Sequence, residues 1–400
     1  MTQWSDYSTG QRIKMLRAGM TQEQLADAAG VSPATVRKAE RSQGGGIGLP
    51  SLLKLSAALH ADVSVILGQQ APRRSALIGD RAMLRELSRT VHDTAAGVGI
   101  PGEPPRTAEL ASELATAWAD YRAGDYTRAG TLAAPAVVQA AALLNAAAED
   151  RRCAAHGLLA DAYRLSAYAA QFHGARDLAY AAIGHARHHA ERAGDPLRTA
   201  MVDCGRSWIY LRDARLDQAA GTAALAYESI EPRYADHDME QLAAYGWHVT
   251  FAAVVASRSG HSDRARDLLS QGRAVAARMG RDVMINGTSY GPTTVTAQAI
   301  GIHTVLGEPG KALTLARSLG DLTPLAQAGR NRLALDIALA QADTRQHDAA
   351  LDTLLDVCSH HPDWARHQAL PGAIMQRSGH ASTTRVRRLG GILGISLFTR

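Results

Sequence analysis

A polar turn followed by a small residue recurs six times from about residue 107 onward. Each turn ends one amphipathic helical segment, and an alanine about five residues later lies near the start of the next segment. The marker alanines are Ala129, Ala179, Ala219, Ala265, Ala312 and Ala349. Two antiparallel helices can approach closely at an alanine, because its side chain is only a methyl group. The recurrence therefore predicts stacked helical hairpins that share a continuous core.

The composition favours an all-α fold for the whole chain. Hydrophobic residues make up 46% of the sequence, which is enough for a large core, yet only three residues are phenylalanine. Strands favour β-branched and aromatic side chains, so a chain rich in alanine is expected to be helical. The marker spacing of about 37 to 50 residues resembles a tetratricopeptide (TPR) array with long units. This resemblance implies a TPR-like α-solenoid over residues 106–400, with a concave surface for sensing and a role in dimerisation.

Residues 20–41 carry the signals of two short helices joined by a tight turn. Thr21 and Gln24 match a capping box, in which each side chain bonds the backbone of the other residue. Gly30 suits a turn that needs a positive φ, and Pro33 suits the first position of a helix. The segment therefore predicts a helix-turn-helix unit.

Three more short helices are expected around this unit, over about residues 8–17, from Pro50, and over about 62–67. The first 75 residues hold four of the chain's five excess positive charges, which favours nucleic-acid binding by this part. Residues 69–105 are interpreted as a linker with a connecting helix over about 79–95. Glycines within the linker match G-x-G-x-x-G, but no strand precedes them, so a dinucleotide site is not expected.

Residues 20–41 and the segment from Pro50 to Ala61 resemble the Cro/C1-type (Xre) family of helix-turn-helix repressors. The resemblance implies a five-helix, lambda-repressor-like domain over residues 1–68 that binds double-stranded DNA. It also implies that Gln22 contacts a phosphate while the third helix contacts base edges in the major groove. The predicted DNA-binding residues are Gln22, Ser32, Pro33, Ala34, Thr35, Arg37, Lys38 and Arg41. The alternative is a module that keeps this fold but binds protein, and the basic residues of the third helix argue against it.

One position departs from the pattern of this family. Its members often bury an ion pair between an arginine of the first helix and the glutamate that ends the third helix. Glu40 is present here, but Met15 occupies the position of the arginine in an ungapped alignment. We expect Arg12 or Arg17 to take the place of that arginine.

TPR arrays expose defined positions of each first helix on the concave side, which gives a set of candidate effector-binding residues. Counting back from the marker alanines, and adding one residue of the irregular segment 284–295, gives Arg164, Tyr168, Gln171, Trp208, Trp247, Thr250, Asn286, Thr294 and Asn331. Aromatic rings and amides suit a peptide or a small amphipathic ligand. Packing between helices is an equal alternative for Tyr168 and Trp208, and segment 284–295 is equally consistent with a helix cap.

No motif points to catalysis or to a cofactor. The sequence contains no P-loop, HExxH or G-x-S-x-G motif, so an enzyme is not expected. His185, His188 and His189 have helical spacing, but no nearby acid or cysteine completes a ligand set, so we expect a solvated face and no metal site. The three cysteines are too scattered for a disulfide framework. With no signal pattern and no run suited to a membrane, we expect a cytoplasmic protein.

A DNA-binding head joined to a TPR-like body resembles the bacterial helix-turn-helix/TPR regulators. These include quorum-sensing receptors for peptide pheromones (the RRNPP group). The resemblance implies a homodimeric transcription regulator whose body binds a peptide or small-molecule effector that modulates operator binding. The alternative is a DNA-tethered interaction scaffold whose TPR-like body recruits a protein partner.

Overall fold

The computed structural model describes residues 7–17, 19–41, 47–59, 61, 63–67, 78–233, 238–285 and 288–394. The helices are α1 (Thr9–Leu16), α2 (Gln22–Ala29), α3 (Pro33–Arg41), α4 (Leu49–Ala58), α5 (Val63–Ile66), α6 (Ile78–Ala95), α7 (Thr107–Ala123), α8 (Tyr126–Ala146), α9 (Glu149–Phe172), α10 (Arg176–Ala193), α11 (Pro196–Arg212), α12 (Leu216–Glu228), α13 (Met239–Ser259), α14 (Ser262–Met279), α15 (Pro292–Val305), α16 (Pro309–Ser318), α17 (Gln327–Asp343), α18 (His347–His360), α19 (Pro362–Arg366), α20 (Leu370–Ser378) and α21 (Thr383–Leu393). Two short strands, β1 (Val283–Ile285) and β2 (Thr288–Tyr290), form an antiparallel hairpin. The all-α prediction is confirmed.

Six helical hairpins follow the connecting helix α6 and form two layers. The inner layer contains the first helix of each hairpin, namely α7, α9, α11, α13, α15 and α17, and each contacts the next. The second helices lie outside, each packed on its own partner. Helix α17 also contacts α7, so the inner layer closes on itself. The surface expected to be an open concave face is therefore the inside of a ring.

Aromatic side chains close this ring where its two ends meet. The rings of Tyr126 and Phe172 stack with centroids 3.7 Å apart. Tyr126 belongs to the same buried cluster as Trp364 of α19 and Leu335 of α17. Trp364 lies directly over Gly124, where any side chain would collide with its indole. The C-terminal helices are therefore packed against the first hairpin.

The marker alanines are buried between helices, as their small side chains predict. Each lies at the fourth position of an outer helix and is fully buried against its hairpin partner, as seen for Ala129, Ala179, Ala219, Ala265 and Ala312. The sixth assignment is wrong by one residue. Ala350 occupies the equivalent buried position in α18, whereas Ala349 is half-buried. Helix α18 begins at His347, one residue later than the alignment of the turns implied.

The β-hairpin was not expected from the composition, and one tyrosine accounts for its place. Tyr290 of β2 is fully buried, and its hydroxyl donates to the carbonyl of Gly272 at 2.8 Å. The Tyr290 hydroxyl also lies 2.8 Å from the Thr250 hydroxyl on α13. The hairpin thus fills the space between α13, α14 and α15 with an aromatic ring, a long-range contact that local sequence does not indicate.

Helix α8 is long and apolar enough to cross a membrane, with a mean hydropathy of 1.4, although the sequence was expected to contain no such segment. Half of its apolar stretch is buried inside the protein. It packs against α6, α7 and α9 through small residues such as Ala133 and Ala140, which are fully buried. This burial is that of a core helix.

Helices α1 to α5 form a small head with its own core, built on Ile13, Leu25, Val36 and Leu55. The expected order of five short helices is confirmed, with α4 beginning one residue before Pro50. Ala373 of α20 completes this core, so the head is packed directly on the body.

Two side chains of α20 also bond the head. Gln376 donates from Nε2 to the Thr9 hydroxyl at 3.1 Å. Arg377 donates from Nη2 to the Ile47 carbonyl at 3.2 Å. On the other side, Lys54 of α4 lies beside Gly260 at the end of α13. These contacts fix the position of the head relative to the ring.

Each turn between an inner and an outer helix contains one residue with a left-handed backbone. Glycine occupies this place in four turns, including Gly174 with φ 74°, but Ala214 and Arg345 occupy it in two others with φ 57° and 63°. For a residue with a Cβ atom, this conformation costs about 1 kcal/mol.

The change Ala214→Gly is therefore expected to raise the free energy of unfolding by roughly 0.5 to 1 kcal/mol. The matched change Gly174→Ala should lower it by a similar amount, because no atom surrounds the added methyl group and only the backbone is strained. Urea unfolding of both variants measures the two effects. Equal destabilisation by both changes would contradict this account of the turns.

Candidate nucleic-acid interface and inner lining of the ring

The helix-turn-helix unit is built by local hydrogen bonds at each helix start. Thr21 Oγ1 accepts from the Gln24 amide at 3.1 Å, and Gln24 Oε1 accepts from the Thr21 amide at 2.8 Å, which is the expected capping box. Gly30 ends α2 with φ 57°. Ser32 Oγ then accepts from the Thr35 amide at 3.2 Å at the start of α3. These bonds set the angle between α2 and α3.

Helix α3 buries one face and exposes the other. Val36 and Ala39 are fully buried against the head core. Arg37, Lys38 and Arg41 are exposed, and within the described part of the chain none of these three forms an ion pair. Ser32 and Ala34 are exposed, and Pro33 and Thr35 are half-buried. The predicted base-contacting residues thus share one surface with three unpaired positive charges, an arrangement suited to the edges and phosphates of DNA.

Glu40 joins three elements of the head. Its carboxylate accepts from Arg17 Nε at 2.5 Å and from Gln22 Nε2 at 2.6 Å, and only 7% of its side chain is exposed. Arg17 therefore takes the place that Met15 leaves vacant, as one of the two expected substitutes. The other, Arg12, donates to the Ile66 carbonyl. A phosphate contact by Gln22 stays a prediction, and its side-chain amide donates to Glu40.

Residues 12–66 match a family model described as Helix-turn-helix. They form an Xre-like helix-turn-helix domain. The match supports a DNA-binding regulator of transcription, and it covers the head alone. A comparison with curated proteins gave no match to the chain.

Arg17→Ala should weaken the head, because it leaves the buried Glu40 carboxylate with only one partner. We expect a decrease of about 1 to 3 kcal/mol in the free energy that protects the amides of α1 to α3. Hydrogen exchange of the full chain measures this quantity, and Met15→Ala, at an exposed position of the same helix, is the control. Equal protection in wild type and Arg17→Ala would show that the ion pair does not stabilise the head.

Inside the ring, several of the predicted effector residues meet in an aromatic and cationic lining. The Arg164 guanidinium lies 4.3 Å from the centre of the Trp118 ring. Tyr168 packs edge-on against Trp208 at 5.3 Å. Arg212 lies 4.9 Å from the Phe172 ring. Trp118, Phe172 and Arg212 were missed by the sequence analysis, since it chose no position in α7 and only a few in each later inner helix.

Several inner helices carry buried polar atoms that have no hydrogen-bond partner in the part of the chain that the structure describes. Among the described residues, no hydrogen bond reaches Gln171 Oε1, Asn331 Nδ2, Arg212 Nε or either ring nitrogen of His248. Burial, and then the charge of Arg164, lowers the pKa of His248 to about 3. The neutral imidazole next to Trp247 was also missed. Native proteins bond nearly all such groups, so unpaired atoms here favour a site that a ligand completes.

Two predicted effector residues, Thr250 and Thr294, do not belong to this lining. Thr250 is buried and bonded to Tyr290, as described above. Thr294 Oγ1 donates to Asp282 Oδ1 at 2.9 Å, and the Asp282 carboxylate also caps α15. Both threonines are therefore fixed as packing and capping residues, which favours the structural alternative for segment 284–295. Asn286 lies outside the described residues.

A cavity of about 480 Å³ lies between α6, α8, α9 and α10. His185, His188 and His189 line it, so the expected solvated face holds only for His188, which is exposed. His189 Nδ1 lies 2.9 Å from His156 Nδ1. Burial, and then the charge of His156, lowers the pKa of His189 to about 3. The His189 imidazole is therefore neutral at neutral pH.

Proposed function

We propose that the chain is a sequence-specific transcription regulator whose ring binds an effector and whose head binds operator DNA. The observation that carries the proposal is the exposed face of α3, where Arg37, Lys38 and Arg41 have no ion-pair partner within the described residues. The family match of residues 12–66 supports the same function. A homodimer is part of the proposal, because two heads would bind half-sites about one helical turn apart.

The charge of the lining favours an effector with an anionic group. Arg164 is paired with Asp161 at 3.5 Å and Arg332 with Asp336 at 3.0 Å, and Arg212 and Arg258 add two further positive charges. Burial, and next the charge of Arg332, lowers the pKa of Arg258 to about 9. The four guanidinium groups outnumber these two carboxylates, and buried positive charge is costly, so a bound carboxylate would balance part of the excess. The aromatic rings suit an apolar part of the same ligand, so an acidic peptide or an amphipathic carboxylic acid fits best.

The contacts between head and ring supply a route for regulation. Helix α20 contributes Ala373 to the head core and bonds Thr9 and Ile47, while α13 meets Lys54. Helix α13 also carries His248 and Arg258 of the lining. A ligand that prefers one arrangement of the inner helices would therefore change the position of the head, provided that its affinity differs between the two arrangements.

Operator binding is tested with Arg37→Ala and Lys38→Ala. Each is expected to weaken specific binding by about 1 to 3 kcal/mol for every hydrogen bond to a base that the change removes, with little effect on stability, because both side chains are exposed. Genome-wide footprinting of the purified full chain identifies the operator, and titration of that operator measures the affinities. Arg89→Ala on α6 is the control. Unchanged affinity in both head variants would mean that recognition lies elsewhere.

Effector binding is tested with Arg212→Gln and Asn331→Ala. Acidic peptides and amphipathic carboxylic acids are screened by the fluorescence of the lining tryptophans, and active compounds are tested for a shift in operator affinity. Both variants should reduce the shift at least tenfold and leave the affinity without effector unchanged. Arg273→Gln, at an exposed position of the outer helix α14, is the control. Purification with one stoichiometric protein partner, and no response to any compound, would favour the scaffold.

A further inference from the structure

Three metal-ligating side chains from distant parts of the chain meet where the ring closes. Asp80 lies in the first turn of α6, His173 ends α9, and His367 follows α19. One ligand atom from each lies within 4.8 Å of the other two. The side chains of Asp80 and His173 are only 11% and 2% exposed. Sequence spacing gives no sign of this group, because its members are about 90 and 190 residues apart.

The backbone fixes which nitrogen of each imidazole carries a proton. His173 Nδ1 lies 2.8 Å from the Ala169 carbonyl, and His367 Nδ1 lies 3.2 Å from the Phe172 carbonyl. A carbonyl oxygen only accepts, so each Nδ1 must donate. The lone pair of each neutral ring is therefore on Nε2. A metal-binding histidine usually donates from its other ring nitrogen in this way, to a carbonyl or a carboxylate.

Asp80, Thr127 and His173 together contain more hydrogen-bond acceptors than hydrogens to donate. The Thr127 hydroxyl has one hydrogen, and it donates to Asp80 Oδ1 at 2.6 Å. The same hydroxyl oxygen lies 3.1 Å from His173 Nε2, and Asp80 Oδ1 lies 3.4 Å from that nitrogen. The imidazole lone pair thus faces two oxygens that have no proton left to give it. A cation between these atoms resolves the conflict.

We propose that Asp80, His173 and His367 bind one divalent transition-metal ion, with Zn²⁺ the best fit. Two imidazoles and one carboxylate are ligands that Zn²⁺ prefers, and a water molecule completes four-coordination. Small side-chain movements bring the three ligand atoms to bonds of about 2.0 to 2.2 Å. The ion joins the connecting helix, the first hairpins and the C-terminal helices, so it clamps the closed ring. His367 precedes α20, and the ion therefore also steadies the helix that carries the head.

The test uses the full chain after dialysis against a chelator. Zn²⁺ is titrated in competition with a chromophoric chelator, and bound metal is counted by elemental analysis. Wild type is expected to bind one Zn²⁺ per chain and to unfold at a higher temperature when loaded. Asp80→Asn, which keeps the shape and the Thr127 contact, should weaken binding by about 100-fold or more, since loss of an orienting partner alone costs 10- to 100-fold. His367→Ala should do the same, with circular dichroism to show that it is folded.

Two controls separate this site from other histidines. His156→Ala removes the partner of His189 beside the 480 Å³ cavity, and His360→Ala removes an exposed imidazole. Both should bind Zn²⁺ as wild type does. Visible absorption of the Co²⁺-loaded protein should show tetrahedral coordination that Asp80→Asn abolishes. No stoichiometric uptake by wild type, or uptake that survives Asp80→Asn and His367→Ala but is lost in His156→Ala, would overturn the proposal.

Discussion

Contact between α17 and α7 closes six hairpins into a ring, and the other features of the structure depend on this closure. The packing of Trp364 over Gly124, and the buried cluster that joins Tyr126 to Leu335 and Trp364, make the seam. Because the seam is closed, the positions that an open solenoid would show to solvent instead face one enclosed interior.

Burying polar groups without partners in the interior lowers the stability of the fold, whereas an apolar core would not. Arg212 and His248 keep unbonded buried nitrogens among the described residues, and the pKa of Arg258 is lowered by burial and by neighbouring arginines. Leaving such groups unpaired destabilises a protein by about 1 to 3 kcal/mol each. A polar interior of this sort is reasonable where a ligand supplies the missing partners. The seam also brings α20 to the head, so one set of contacts serves both the ring and the placement of the DNA-binding surface.

Local signals made the head predictable. The capping box of Thr21 and Gln24, the turn at Gly30 and the start at Pro33 each involve residues within a few positions of one another, and all appear as expected. The hairpin repeat was equally visible, because small residues recur at a regular place. The inner positions Tyr168 and Trp208 follow from that repeat, and they pack edge-on against each other within the lining.

The rest depends on contacts between distant residues. Tyr290 is buried against Gly272, and its hydroxyl bonds Thr250. Thr250 is therefore a packing residue. Ring closure brings Asp80 close to His367, and no local sequence pattern predicts this proximity. The charge of the interior is likewise a property of several inner helices together. Periodicity predicts which face of a helix is buried, but it does not predict which faces meet across a ring.

Hydrogen exchange of the full chain, free and bound to its operator, tests the central claim that α3 binds DNA while the ring positions the head. The account predicts slower exchange over Pro33–Arg41 and the turn before it. It also predicts altered exchange in α20, at Leu370–Ser378, because that helix contacts the head. Unchanged exchange over Pro33–Arg41, with protection only elsewhere in the chain, would contradict it.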